Sequence, residues 1–439
     1  MSLISRKWRA EPARGHRRVE LYGRRFPCIG LLIVLAACHD APRDNPVDPT
    51  LTPALEAVQF EAALFDSRTA TATLAWNRST DGFERYEIQR QTDEADDISI
   101  VHLTSAIDDT MFVDTGLDGN TEYSYRVILR STAGQELESA PVSGQFHRRL
   151  REWQVPAQMT GGLAIADDIG GENRIYVAST GPNQIFQFTS RGELLRAFST
   201  DPTAGEEIAL FLAADRLGVY AQVNGESGTY LNAFDLDGTR RFRWAPRQAD
   251  ELVTGVAFSP DGELWVTGTM VEAATGGLIA RTTRIYRLDA LTGNAVDTLT
   301  VEPTIINGVA LGEGIGVAVI PVGSHTGFSV FDMFTGEVLH GVARRGSRNG
   351  QFNFPVAAVF GRDNRLFIVD GANSRVQVFR DSDYLTKWGE SGEGPDAFRF
   401  HGNYPGVTTG TVASGIAVDS AGSIYVADTF NNRIQVFEP

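Results

Sequence analysis

The pattern of apolar and polar positions changes character along this chain of 439 residues. Between residues 56 and 148 the two alternate over short runs: ATATLAW at 70–76, YEIQR at 86–90, MFVD at 111–114 and YSYRVIL at 123–129. A period of two predicts half-buried strands. Asp81-Gly82 and Asp118-Gly119 supply turns between them, at the spacing of an all-β sandwich.

From residue 151 onward a longer unit repeats six times. Each copy opens with a small apolar strand (162–166, 208–213, 255–258, 308–311, 356–360 and 415–419). A second strand follows a turn (175–178, 219–221, 264–267, 317–320, 366–369 and 424–427), and then a third (185–188, 230–234, 285–288, 328–331, 376–379 and 434–437). Gly192, Gly238, Gly293 and Gly336 hold one place in the hairpin that comes next, and Asp235, Asp289 and Asp332 precede three of them. Each copy takes about 48 residues, the size of a propeller blade. One four-stranded sheet cannot bury both its faces, so the copies stack around an axis. The first strands are rich in Gly and Ala because they crowd that axis. The last copy stops one strand short at Pro439, and EWQVP at 152–156 stands directly before the first copy. The expected fold is all-β: a sandwich over residues 56–148, then a six-bladed β-propeller over 149–439 closed by an N-terminal outer strand.

Two resemblances sharpen this. Trp76, Tyr86, Leu117, Thr121, Tyr123, Tyr125 and Val127 resemble the core pattern of a fibronectin type III domain. That likeness implies a tyrosine corner at Tyr123, with its hydroxyl bonded to upstream backbone. It implies a spacer, not a ligand site. GQFNFP at 350–355, Asp370 with Asn373 and Arg375, and Asp428 with Asn431 and Arg433 resemble the NHL repeat. The first copy has Ser179, Asn183 and Gln184 there, and copies two to four depart from the pattern. The NHL likeness implies a binding platform for protein, sugar or nucleic acid, with some enzymes among its members. For the Asp/Asn/Arg trios a structural role is expected: the Asp accepts turn N–H groups and the Arg pairs with a neighbouring carboxylate.

Composition narrows the choice. A hydrophobic fraction of 42% and a charged fraction of 21% are those of a folded protein. The net charge of -16 argues against a nucleic-acid partner, which needs a Lys/Arg surface. Cys28 and Cys38 are the only cysteines, too few for a disulfide scaffold or a four-cysteine zinc site. Residues 1–37 are basic, and Arg24-Arg25 leads into an uncharged run from Phe26 to Cys38, too short to span a bilayer. Its end, Leu35-Ala36-Ala37-Cys38, resembles the lipobox of bacterial lipoproteins. This implies a signal peptide over 1–37, lipidation of Cys38 and anchorage in the cell envelope, with the outer membrane favoured by His39. Residues 38–55, with four prolines, read as a stiff tether.

Candidate chemistry sits in long connections at 270–283, 344–353 and 389–413. Arg344, Arg345, Arg348, Phe398, Phe400, His401, Asn403 and Tyr404 are the expected ligand-binding residues. Arginines and aromatics together suit an acidic protein or carbohydrate partner. No catalytic residue is assigned and no resident cofactor is expected. The alternative is a metal-dependent propeller enzyme of lyase or lactonase type, using calcium or zinc in the axial channel. Its candidate ligands are His325, His340, His401 and Asn307, but His340 lies in an outer strand and three convergent histidines are not available.

Overall fold

The computed structural model describes residues 56–439 except 67–68, 81, 93–94, 119–120, 146, 181–182, 201–207, 226–227, 249, 275–276, 302–305, 307, 321–325, 404–410 and 439. Cys38 and the segments expected to be a signal peptide (1–37) and a tether (38–55) lie outside the described residues. So do Asn307, His325 and Tyr404.

The alternating runs pair as a sandwich. Phe60–Asp66, Thr71–Trp76 and Met111–Thr115 make one sheet, and the other centres on Phe83–Thr92 paired with Glu122–Ser131. Trp76, Tyr86, Leu117, Tyr123, Tyr125 and Val127 are all buried between the two. The Trp76 and Tyr86 rings meet edge-on with centroids 5.5 Å apart. The Tyr123 hydroxyl accepts the Asp118 N–H at 2.8 Å, which ties the start of its strand to the preceding turn. Tyr125 donates its hydroxyl to Asp114 Oδ2 at 2.8 Å.

Six four-stranded antiparallel sheets follow among the described residues. Their first strands are Gln158–Ala166, Ile208–Asp215, Glu251–Phe258, Val309–Leu311, Pro355–Phe360 and Ile416–Val418. Each first strand contacts the first strand of the next sheet, and Ile416–Val418 also contacts Gln158–Ala166, so the sheets surround an axis as a β-propeller. The sixth sheet takes its outer strand from Arg149–Gln154, which pairs antiparallel with Arg433–Phe437 through Ile434 opposite Trp153. The crowding expected at the axis is real: a Cβ on Gly415 would stand 2.1 Å from the Gly161 carbonyl oxygen.

The recurring hairpin glycines serve the joints between sheets. All four have positive φ, between 74° and 87°. A Cβ on Gly192 would strike the Trp153 ring at 2.6 Å, one on Gly238 the Phe198 ring at 2.4 Å, and one on Gly293 the Phe242 ring at 2.5 Å. In each case the ring belongs to the outer strand of the preceding sheet, and Gly336 meets Thr300 there in the same way. The contact between Gly192 and Trp153 joins the first sheet to the sixth. Asp289 and Asp332 close their turns by accepting N–H and hydroxyl bonds from Thr292 and Thr335, which hold both carboxyls below the usual range.

One expected connection is not a loop. Residues 270–274 and 277–283 belong to a long pair of strands, Leu264–Ala274 with Gly277–Leu288, that extends the third sheet beyond its neighbours. Backbone pairing continues through Val271 opposite Ala280 to Ala274 opposite Gly277, so the run reads better as strand than as insertion.

Candidate functional site

Strands within each sheet are antiparallel, so the turns between second and third strands lie at the same end as the loops that lead into first strands. In sheets five and six that end is organised by two copies of one buried cluster. Leu366–Asp370 ends in Asp370, a single 3-10 turn spans Gly371–Asn373, Ser374 takes a left-handed φ of 51°, and Arg375–Arg380 begins. Ile424–Asp428, Thr429–Asn431 and Asn432 repeat this in sheet six.

Asp370 has no exposure, and its oxygens divide their work. Oδ1 accepts the Asn353 N–H at 2.7 Å. Oδ2 accepts from Asn373 Nδ2 at 2.8 Å, Arg375 Nε at 2.8 Å and Gln377 Nε2 at 3.1 Å. Arg375 then spreads its remaining donors over the loop, to the carbonyls of Ser347 at 2.8 Å, Arg348 at 2.9 Å and Gln351 at 2.7 Å. Gln377 adds a second bond to Gln351 O at 2.8 Å and accepts the Gly350 N–H at 3.0 Å. Burial pushes the Asp370 carboxyl above the usual range, and the Asn353 N–H, Asn373 and Arg375 pull it back.

Sheet six is the same machine. Asp428 Oδ1 accepts the Arg399 N–H at 2.7 Å, and Oδ2 accepts from Asn431, Arg433 and Gln435 at 2.9, 2.6 and 3.2 Å. Arg433 reaches the carbonyls of Gly394 at 2.7 Å and Ala397 at 2.9 Å, and also Glu152 Oε2 at 3.0 Å in the strand that completes the sheet. Burial raises the Asp428 carboxyl as it does Asp370.

The trios are therefore structural, with two refinements. Each Asp accepts an N–H from the preceding loop, not from its own turn, and each Arg pairs with the Asp of its own trio. Gln377 and Gln435 complete the cluster and were not singled out by the sequence reading. A signal for them exists: the spacing D-x2-N-x-R-x-Q recurs at 370–377 and 428–435, and the loops before it share G-x5-F-x-F, as GSRNGQFNF at 346–354 and GEGPDAFRF at 392–400.

That repeat corrects the expected site. Phe398 and Phe400 are fully buried, with ring centroids 4.7 Å apart, and Phe398 packs on Phe437. They occupy the place of Phe352 and Phe354, plugging the core beneath the loop, so neither offers a stacking face. Arg344, Arg345 and Arg348 are exposed, and among the described residues no ion pair engages them. Arg399 is exposed and pairs with Glu393 at 3.3 Å. His401 and Asn403 are exposed on the loop of sheet six. His340 lies in an outer strand with Nδ1 2.7 Å from Ser382 Oγ, away from the axis. Among the described residues no three His, Cys, Asp or Glu side chains are placed to share a metal ion.

Sheet three keeps the cluster in altered form. Gly268 pairs with Arg284 as Asp370 pairs with Arg375, and Val266 opposite Tyr286 matches Ile368 opposite Gln377. The missing carboxylate arrives from another strand. Glu251 Oε2 accepts from Arg284 at 3.0 Å and Oε1 from the Tyr286 hydroxyl at 2.7 Å. A Cβ on Gly268 would stand 2.6 Å from Glu251 Oε1, so the glycine makes the room.

Family models match two segments: the fibronectin type III domain over residues 58–145 and the NHL repeat over residues 412–437. The chain carries both modules. No curated protein matches it in sequence. Among solved structures, an auxiliary nutrient binding protein from Bacteroides thetaiotaomicron is 11% identical with a TM-score of 0.43, over 87% of this chain and 98% of that one. A virginiamycin B lyase from Staphylococcus aureus is 13% identical with a TM-score of 0.43, over 66% of this chain and 98% of that one. A gluconolactonase from Xanthomonas campestris is 15% identical with a TM-score of 0.43, over 65% and 88%. One binding protein and two enzymes stand side by side, so these likenesses do not choose between binding and catalysis.

Proposed function

We propose that this is an exported, lipid-anchored binding protein whose six-bladed propeller engages an acidic protein or carbohydrate at the loop end of sheets five and six. Cys38 is the proposed anchor to the outer membrane, residues 38–55 the tether and the fibronectin type III domain the spacer. The observation that carries the reading is the treatment of residues 344–353. Arg375 and Gln377 hold that loop by its backbone from below, while Arg344, Arg345 and Arg348 project outward without an ion-pair partner among the described residues. A loop ordered in advance spends less conformational entropy on binding. Three free guanidiniums in a chain of net charge -16 are a local exception, and they suit carboxylates bidentately. With Phe398 and Phe400 in the core, recognition rests on charge and hydrogen bonding, with His401 and Asn403 contributing from the next loop.

The test is fluorescence anisotropy of labelled polygalacturonate and poly-glutamate with the intact chain, at low and high salt. Three exposed charge contacts of about 0.5–1 kcal/mol each amount to a loss of roughly tenfold or more. The Arg344→Ala, Arg345→Ala, Arg348→Ala triple variant should lose that affinity and most of the salt dependence. Equal binding by wild type and variant would remove the loop from the site.

A further inference from the structure

The opposite end of the propeller holds a second feature, independent of the arginine loops. A cavity of about 480 Å³ lies on the axis, walled by the later half of every first strand. Ile165, Ala214, Phe258, Leu311, Val359 and Val418 are among the residues that line it, one from each sheet. Towards the loop end the same strands draw together on glycine: Gly161 against Ser414 and Gly415, and Gly255 against Gly308. Neighbouring first strands thus approach most closely at these glycines, and the cavity lies towards the hairpin end.

The mouth is polar and acidic. Asp167 and Glu313 stand there against a single guanidinium, Arg362. Asp419 lines the mouth too, but its oxygens are occupied by the N–H groups of Ala421 and Ser423 and by the Tyr425 hydroxyl, at 3.0, 2.8 and 3.0 Å. Asp167 is half-buried and accepts the Ser420 N–H at 3.0 Å across the joint between sheets six and one, with the Ser420 hydroxyl bonding the same carboxyl. Burial, and then the neighbouring Asp419 charge, push its carboxyl above the usual range, while the Ser420 N–H and Arg362 draw it down. A carboxylate so placed gains from a cation beside it.

We infer that this axial cavity binds a small apolar amine, with the ammonium at Asp167 and the hydrocarbon body filling the channel. The volume is within the range that takes a small molecule, and the lining divides about equally between apolar surface on the strands and polar surface.

The probe is 2-phenylethylamine, titrated into the intact chain by calorimetry beside phenylacetate, which carries a similar body and the opposite charge. The amine should bind roughly tenfold or more tightly than the acid. Asp167→Asn keeps the oxygen that accepts from Ser420 and removes the charge; it should weaken the amine roughly tenfold and erase the preference. Ala257→Phe fills the channel and should abolish binding of both probes. Three results would overturn the assignment: no amine binding at millimolar concentration, acid bound as well as amine, or amine binding unchanged by Ala257→Phe in a variant whose melting curve matches wild type.

Discussion

Arg375→Ala is the sharpest perturbation the structure offers. The guanidinium is nearly inaccessible, pairs with the fully buried Asp370 at 2.8 Å and satisfies the carbonyls of Ser347, Arg348 and Gln351. Its removal leaves the buried carboxylate without a counter-charge and takes a bond from three loop carbonyls, of which Gln351 keeps its bond from Gln377. Breaking one partner of a buried ion pair costs about 3–5 kcal/mol. At 2–4 °C per kcal/mol, this lowers the melting temperature by roughly 6–20 °C. Arg375→Lys keeps the charge but not the planar fork, so it should recover only part of the loss. Urea melts of wild type, Arg375→Ala, Asp370→Ala and the double variant complete a cycle. The double variant should cost clearly less than the sum, because Asp370→Ala relieves the orphaned charge. A loss below about 1 kcal/mol for Arg375→Ala, or strict additivity, would mean that the buried pair does not fasten the loop.

Other consequences follow from different joints. Gly192→Ala meets both a positive φ of 87° and the Trp153 ring, and should cost about 1–3 kcal/mol in a urea melt; a neutral result would mean the seam between sheets six and one is loose. His147 is buried against Trp388 and Phe367, and burial, reinforced by the Arg365 charge, pushes its imidazole down to about 3. As pH falls below about 6.5 the unfolded chain takes up a proton that the folded chain refuses, so stability drops by ~1.4 kcal/mol per pH unit towards pH 3. Relative to wild type, His147→Phe should therefore gain stability between pH 7 and pH 5; parallel stabilities would contradict the shift. Cys38→Ala should move the protein from the membrane to the soluble fraction, and retention at the membrane would sink the lipid anchor.

Much of this was legible in the residues. Alternation placed the sandwich strands, and the fibronectin-like positions from Trp76 to Val127 all proved to be core. The short sixth copy pointed to an outer strand at 152–156 because an unpaired edge must be covered; the strand itself, Arg149–Gln154, begins three residues earlier. The hairpin glycines were visible as a period, but their reason was not, since it lies in rings such as Trp153 and Phe198 contributed by another sheet. Phe398 and Phe400 read as a ligand surface because a long aromatic connection looks like an exposed loop. Only the cluster of Asp428, Asn431, Arg433 and Gln435 reveals that the loop is fastened down over an apolar plug. Glu251 was hidden for a related reason: its carboxylate replaces an Asp on a different strand, so no fixed spacing betrays it. Patterns along one strand are readable from sequence, whereas partnerships across strands depend on register.

The most direct test of the central proposal is site-specific photo-crosslinking in intact cells, with a diazirine side chain at position 348 or at position 334. Arg348 lies on the pinned loop, and Phe334, 83% exposed, lies on a hairpin at the opposite end. The expected result is a discrete adduct from position 348 that high salt suppresses, and none of comparable yield from position 334. An adduct from position 334 alone, or one from position 348 that salt leaves unchanged, would contradict it.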